Sequence, residues 1–176
     1  MRFTQTEIPG VVIVDIEPHR DERGYFAQSF SSEEFAAHGL FASPVQCATS
    51  FNPRRGTLRG LHFQSAPHAQ AKLVRCTRGM IYDVVVDLRR DLPSHGNWIG
   101  IALSQENGRA LHVPEGCAHG FQTLEPNSEV LYLIGGAYRP QSAGGVRWND
   151  PSFGIAWPLA SPHINDRDAA YPEYRR

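Results

Sequence analysis

Arg59-Gly60-Leu61-His62-Phe63-Gln64 brings an imidazole, an amide and a guanidinium together within six residues. Read as a strand of period two, it sets Arg59, Leu61 and Phe63 on one face and Gly60, His62 and Gln64 on the other. A polar face is unusual for a core strand, so His62 and Gln64 either line an internal cavity or face solvent. Lys72 shares a face with Gln70 in the next apolar run and can project toward the same space. Tyr132 lies within Val130-Leu131-Tyr132-Leu133-Ile134, His119 follows the Pro114-Glu115-Gly116 turn, and Asp168 ends Asn165-Asp166-Arg167-Asp168. Singly, each has an ordinary explanation: a solvated lysine, a core phenol with one hydrogen bond, a loop anion or a cap.

A metal-binding barrel usually presents two histidines at H-x-H spacing, an acid shortly after and a third histidine on a later strand. Here Gln64 occupies the second histidine position, and none of the eight histidines pair as H-x-H or H-x-x-x-H. No metal site is therefore expected. G-x-G-x-x-G, the G-x-x-x-x-G-K-S phosphate loop and G-x-S-x-G are also missing. Chemistry would have to come from side-chain acids and bases, without a cofactor.

The elements that must position these groups read as mostly β. Sixteen glycines and thirteen prolines separate short runs rich in Val, Ile, Leu and aromatics. The expected strands are 10–16, 25–30, 45–51, 57–64, 71–78, 80–88, 98–103, 109–113, 119–123 and 129–138. Only Ser31 to His38 reads as helical, with Ser31 and Glu34 at capping-box spacing. Strands joined without intervening helical periods argue against a doubly wound α/β sheet and for a jelly roll or related barrel. The last stretch, Trp157 to Arg176, is expected to pack across the barrel as a tail.

The 176 residues suit one domain, 1–176. Apolar residues make up 41% and charged ones 20%, which excludes the disorder signature. A formal charge of −1 with no long run of either sign argues against nucleic acid. No apolar stretch approaches a membrane span, and Met1-Arg2-Phe3-Thr4 leads into no signal-peptide core, so a cytoplasmic protein is expected. Cys47, Cys76 and Cys117, odd in number and widely spaced, read as ordinary buried thiols.

Taken together, these segments resemble the dTDP-4-dehydrorhamnose 3,5-epimerase family of cupin-fold sugar-nucleotide enzymes. The resemblance runs through Asp21-Glu22-Arg23-Gly24-Tyr25-Phe26, Leu58 to Gln64, Gln70-Ala71-Lys72-Leu73-Val74 and Asp83 to Arg89. It continues through Val113-Pro114-Glu115-Gly116, Ala118-His119-Gly120-Phe121, Glu129-Val130-Leu131-Tyr132 and Trp148-Asn149-Asp150-Pro151, which is nearly the whole chain. It implies a cupin-type jelly roll with a few short helices. It also implies His62 as catalytic base, Asp168 as its partner, Lys72 as enolate stabiliser and Tyr132 as acid. Substrate contacts fall by the same resemblance on Arg23, Gln46, Arg59, His119 and Tyr138. A homodimer is implied in which N-terminal strands pair with the neighbouring subunit, so that Arg23 and Phe26 reach the partner's site.

The chain departs from the family pattern at Gln46-Cys47-Ala48, where Q-x-N is usual, and at Gln28 and Ala143, where acidic residues are usual. These departures make a 3- or 5-mono-epimerase the competing enzymatic reading. A non-catalytic sugar-nucleotide binding module is the competing reading from another class.

The implied chemistry suits the residues. Epimerisation beside a ketone needs a base on one face of the carbon and an acid on the other. Histidine titrates near working pH, and a carboxylate partner fixes its tautomer. A lysine held in a dry barrel stabilises an enolate oxygen, a phenol donates without being ionised at rest, and arginine forks match a diphosphate.

Overall fold

Alternating inward and outward side chains build the two sheets of this molecule, whose residues 1–175 are described by a computed structural model. Among the described residues thirteen strands form in chain order: β1 Arg2–Gln5, β2 Val12–Asp15, β3 His19–Asp21, β4 Gly24–Phe26, β5 Gln46–Asn52, β6 Leu58–Gln64, β7 Ala71–Arg78, β8 Met80–Asp87, β9 Trp98–Ser104, β10 Ala110–Val113, β11 Cys117–Thr123, β12 Ser128–Gly135 and β13 Ala143–Gly145. Two short helices accompany them, α1 Ser32–Ala37 and α2 Asp166–Ala169. One sheet runs β1-β2-β10-β7-β12-β5, the other β13-β6-β11-β8-β9, and β3-β4 form a separate hairpin. Neighbouring strands pair antiparallel, giving the mainly β architecture that the strand pattern predicts and the cupin-type jelly roll that the resemblance implies.

Period two explains the interior. Val74 and Cys76 of β7, Leu111 and Val113 of β10 and Val130 of β12 meet Ile81 and Val85 of β8, Leu103 of β9 and Cys117 and Phe121 of β11 in one buried cluster between the sheets. Intervening residues face outward and are covered separately. Leu73, Val12, Val14 and Ala110 lie under Phe35 of α1. Val84, Val86, Ala118 and Leu61 pack with Val146, Phe153, Ile155 and Trp157. The C-terminal segment thus crosses the outer face of the five-stranded sheet as the expected tail does; its last residue, Arg176, lies outside the described residues.

α1 is capped as expected, with Ser31 Oγ accepting from the Glu34 N–H. The strand expected over 25–30 ends at Phe26, and the one expected over 129–138 begins at Ser128 and stops at Gly135. β1, β3, β13 and α2 have no counterpart among the expected elements. β1 and β3 are short and polar, while β13 reads Ala-Gly-Gly and is a strand only through its pairing with β6. Cys76 and Cys117 are buried, but Cys47 is exposed, because β5 forms an edge of its sheet. Among the described residues no helix is long and apolar enough to cross a membrane.

Candidate active site

The inner faces of four strands change from apolar to polar at neighbouring positions. Lys72 precedes Val74 and Cys76 on β7; Asp83 sits between Ile81 and Val85 on β8; His119 sits between Cys117 and Phe121 on β11; Tyr132 follows Val130 on β12. Lys72, His119 and Tyr132 line one cavity of about 440 Å³ together with Arg59, His62, Tyr138 and Asp168. This volume suits a small-molecule site.

Strict alternation puts Arg59 and His62 on opposite faces, yet both line the cavity. The reason is a bulge. His62 pairs with His119 and Arg59 with Phe121, so β6 takes three steps where β11 takes two, and the extra residue turns both side chains to the same side. Gly60 makes the bulge feasible. Its φ is +133°, and a Cβ there would stand 2.6 Å from the Gly120 Cα.

His62 Nε2 donates to Asp168 Oδ1 at 2.8 Å, and the other carboxylate oxygen accepts from the Gly60 N–H at 3.1 Å. Asp168 is brought there by α2, whose cap Asn165 accepts from the Asp168 N–H at 2.7 Å. Burial pulls the Asp168 carboxyl upward. The His62 hydrogen bond and charge, the Gly60 N–H and Arg167 outweigh it and hold the group below the usual aspartate range. An ionised Asp168 accepts only, so Nε2 carries a proton whether or not Nδ1 does. Nδ1 has no protein partner among the described residues and is left as the basic atom.

On the facing sheet, burial pushes the Lys72 ammonium down to about 8 against the opposing charge of Asp83. The Tyr132 phenol is driven far above its ordinary value, first by burial and then by Asp83, with Arg59 opposing. It is therefore a proton donor throughout the working range. Asp83 is fully buried; its Oδ1 accepts from His119 Nε2 at 2.8 Å, and its Oδ2 has no hydrogen-bond partner among the described residues. The His119 and Tyr132 rings meet edge to face, 6.3 Å apart.

Toward the opening, Arg59 Nε donates to Asn52 Oδ1 at 2.8 Å, and Asn52 is anchored on the Ser128 carbonyl. The remaining guanidinium donors are free to take a bidentate anion. Arg167 adds a second cation. Its charge is favoured by the nearby Tyr171 phenol, outside hydrogen-bond geometry, and then by Tyr138. Tyr138, 54% exposed, offers an aromatic surface at the rim.

Three expected contacts stand apart from this cavity. Arg23 and Phe26 belong to the β3-β4 hairpin and border a separate shallow depression, with Arg23 paired to Asp21. Gln46 donates its amide to the Gly136 carbonyl at 2.7 Å and does not line the cavity. Ala48 and Ala143 do line it, contributing only methyl groups. Gln64 also lines it but braces the rim, donating to the His68 carbonyl and accepting from the Arg139 N–H. Asp83, Arg167 and Tyr171 are absent from the expected set. For Asp83 the signal is present, a carboxylate between two apolar residues on an inward face. Among the described residues no three His, Cys, Asp or Glu side chains gather as a metal site would need.

A jelly roll that faces a histidine–aspartate pair with a lysine and a protonated phenol across one cationic cavity defines a cupin-type enzyme equipped for proton transfer. The family model described as dTDP-4-dehydrorhamnose 3,5-epimerase matches residues 5–176, and the chain belongs to that family. It is 44% identical over 174 residues to the dTDP-4-dehydrorhamnose 3,5-epimerase of Salmonella typhimurium, covering 98% of this chain and 94% of that one. The Bacillus anthracis dTDP-4-dehydrorhamnose 3,5-epimerase, solved with TDP and PPi bound, superposes with a TM-score of 0.95 at 39% identity, covering 98% of this chain and 99% of that one. The Legionella pneumophila dTDP-6-deoxy-D-glucose-3,5-epimerase, in complex with dTDP-4-keto-L-rhamnose, superposes at 0.90 with 33% identity and covers 99% of each.

Proposed function

We propose that this protein epimerises a nucleotide-linked 4-keto-6-deoxyhexose at C3 and C5, converting dTDP-4-dehydro-6-deoxy-D-glucose to dTDP-4-dehydro-L-rhamnose. The observation that carries this reading is the placement of His62 and Tyr132 on opposite sheets across one cavity. His62 Nδ1 takes the proton from the carbon beside the ketone, and the electron pair passes to the C4 oxygen as an enolate. The Lys72 ammonium stabilises that oxygen in a site where water screens it little. Tyr132 then delivers a proton to the opposite face, inverting the carbon. Afterwards His62 releases its proton and the phenolate regains one, so no net oxidation or reduction occurs. Arg59 and Arg167 suit the diphosphate, Tyr138 the nucleoside, and His119 the sugar.

Proton NMR of dTDP-4-keto-6-deoxy-D-glucose incubated with the protein in deuterated water, followed by reduction to identify the sugar, tests the reading. Deuterium at both C3 and C5 with an L-rhamno product supports it. Deuterium at one carbon identifies a mono-epimerase, and none at either leaves a binding module.

Two further outcomes follow from the geometry. Arg59→Ala should raise KM by about tenfold or more while changing kcat little, because the arginine grips ground state and transition state alike. An unchanged KM removes Arg59 from the diphosphate site. Lys72 is charged below about 8 and neutral above it, so kcat should fall as pH rises through that value. In Lys72→Met, with kcat lower by about 10²-fold, this alkaline limb should vanish. A wild-type profile that stays flat to high pH dissociates Lys72 from the rate.

The hairpin fits the same reading. Phe26 is 75% exposed on the hairpin that also carries exposed Tyr25, an aromatic surface suited to a second copy in a homodimer. The three free thiols suit the cytoplasm as the working compartment.

A further inference from the structure

We infer that Tyr171 is a positioning residue for His62, its ring filling the place beside the imidazole that Gly145 leaves empty. This rests on the reading of His62 as the base. In the β13-β6 register Gly145 stands directly opposite His62. Directly paired residues on antiparallel strands point to the same face, and their side chains normally support each other. Gly145 has none to offer, although its backbone lies outside the left-handed region and would accept one. The volume is occupied instead by the tail beyond α2. A Cβ at Gly145 would lie 2.4 Å from both Cε2 and Cζ of Tyr171. The Tyr171 and His62 ring centres are 5.9 Å apart at 69°, an edge-to-face contact.

That contact supplies what the hydrogen bond lacks. Asp168 grips His62 at one atom, Nε2, and the final torsion of a histidine side chain is soft. The imidazole can therefore swing about its Nε2 contact, carrying Nδ1 out of line with the substrate carbon. A ring seated against it removes that freedom. Both restraints come from one segment, Asp168 and Tyr171 lying three residues apart. The ring carries the effect, because the Tyr171 hydroxyl is buried without a hydrogen-bond partner among the described residues.

The test compares the full-length wild type with Tyr171→Ala, Tyr171→Phe and Gly145→Ala, reading steady-state kinetics and, without substrate, the ¹⁵N-imidazole spectrum of His62. Tyr171→Ala should lower kcat by about 10- to 100-fold with KM little changed, and should broaden the His62 Nε2–H signal. Tyr171→Phe should restore most of the rate and the sharp signal. Gly145→Ala, whose added methyl displaces the ring without removing it, should reproduce Tyr171→Ala. Sharp His62 signals with wild-type kcat in both Tyr171→Ala and Gly145→Ala overturn the inference, as does a Tyr171→Phe as impaired as Tyr171→Ala. A wild type that turns over no sugar nucleotide, but whose His62 signal collapses in Tyr171→Ala, defeats the epimerase reading and upholds the positioning.

Discussion

His62→Ala is expected to lower kcat by about 10³-fold, with nucleotide-sugar binding nearly intact. The imidazole joins the cavity to the buried Asp168, and its removal deletes the base and leaves a carboxylate supported by the Gly60 N–H and the Arg167 charge alone. Asp168 cannot take over, since it is only 2% exposed and set back behind the imidazole in the wall. Deuterium entry at C3 and C5 should fall in parallel with product. Entry at the wild-type rate would place the base elsewhere. Asp168→Asn should be milder: the amide keeps the shape but favours the wrong ring tautomer.

Tyr132→Phe should reduce product formation by about 10²-fold while altering a different observable. Tyr132 packs against the cluster between the sheets, so phenylalanine retains the packing and loses only the hydroxyl. The burial that keeps this phenol protonated also makes it hard to replace by water. His62 can still remove a proton and return it to the same face. Deuterium should then appear in recovered substrate of unchanged configuration, and the ratio of exchange to inversion should rise sharply. Inversion at the wild-type rate would remove Tyr132 from the acid role.

Much of this site was legible because period two governs it. A lysine two steps before Val74, or a tyrosine two steps after Val130, shares the inward face by backbone geometry alone. The pairing of Arg59 with His62 on one face was not legible by that rule, because the bulge at Gly60 depends on the close approach of Gly120 from a strand some sixty residues later. β13 escaped for a similar reason: two glycines carry no pattern, and only the neighbouring strand makes them extended. Tyr171 and Arg167 lie in a proline-rich tail without periodicity, where position is set by docking. Asp168 was found through family resemblance, its local sequence reading equally well as a helix cap.

The contact between His62 and Asp168 spans 106 residues, and the second partner comes from the final tenth of the chain. Every strand of both sheets precedes that segment, so it is the last part of the site to be synthesised. A chain emerging from the ribosome can therefore pair both sheets and still lack a competent base. Competence arrives when the tail docks. Loss of the last dozen residues would remove Asp168 and Tyr171 while leaving every strand in the chain, so intactness of the C-terminus is a better measure of active protein than mass of folded protein.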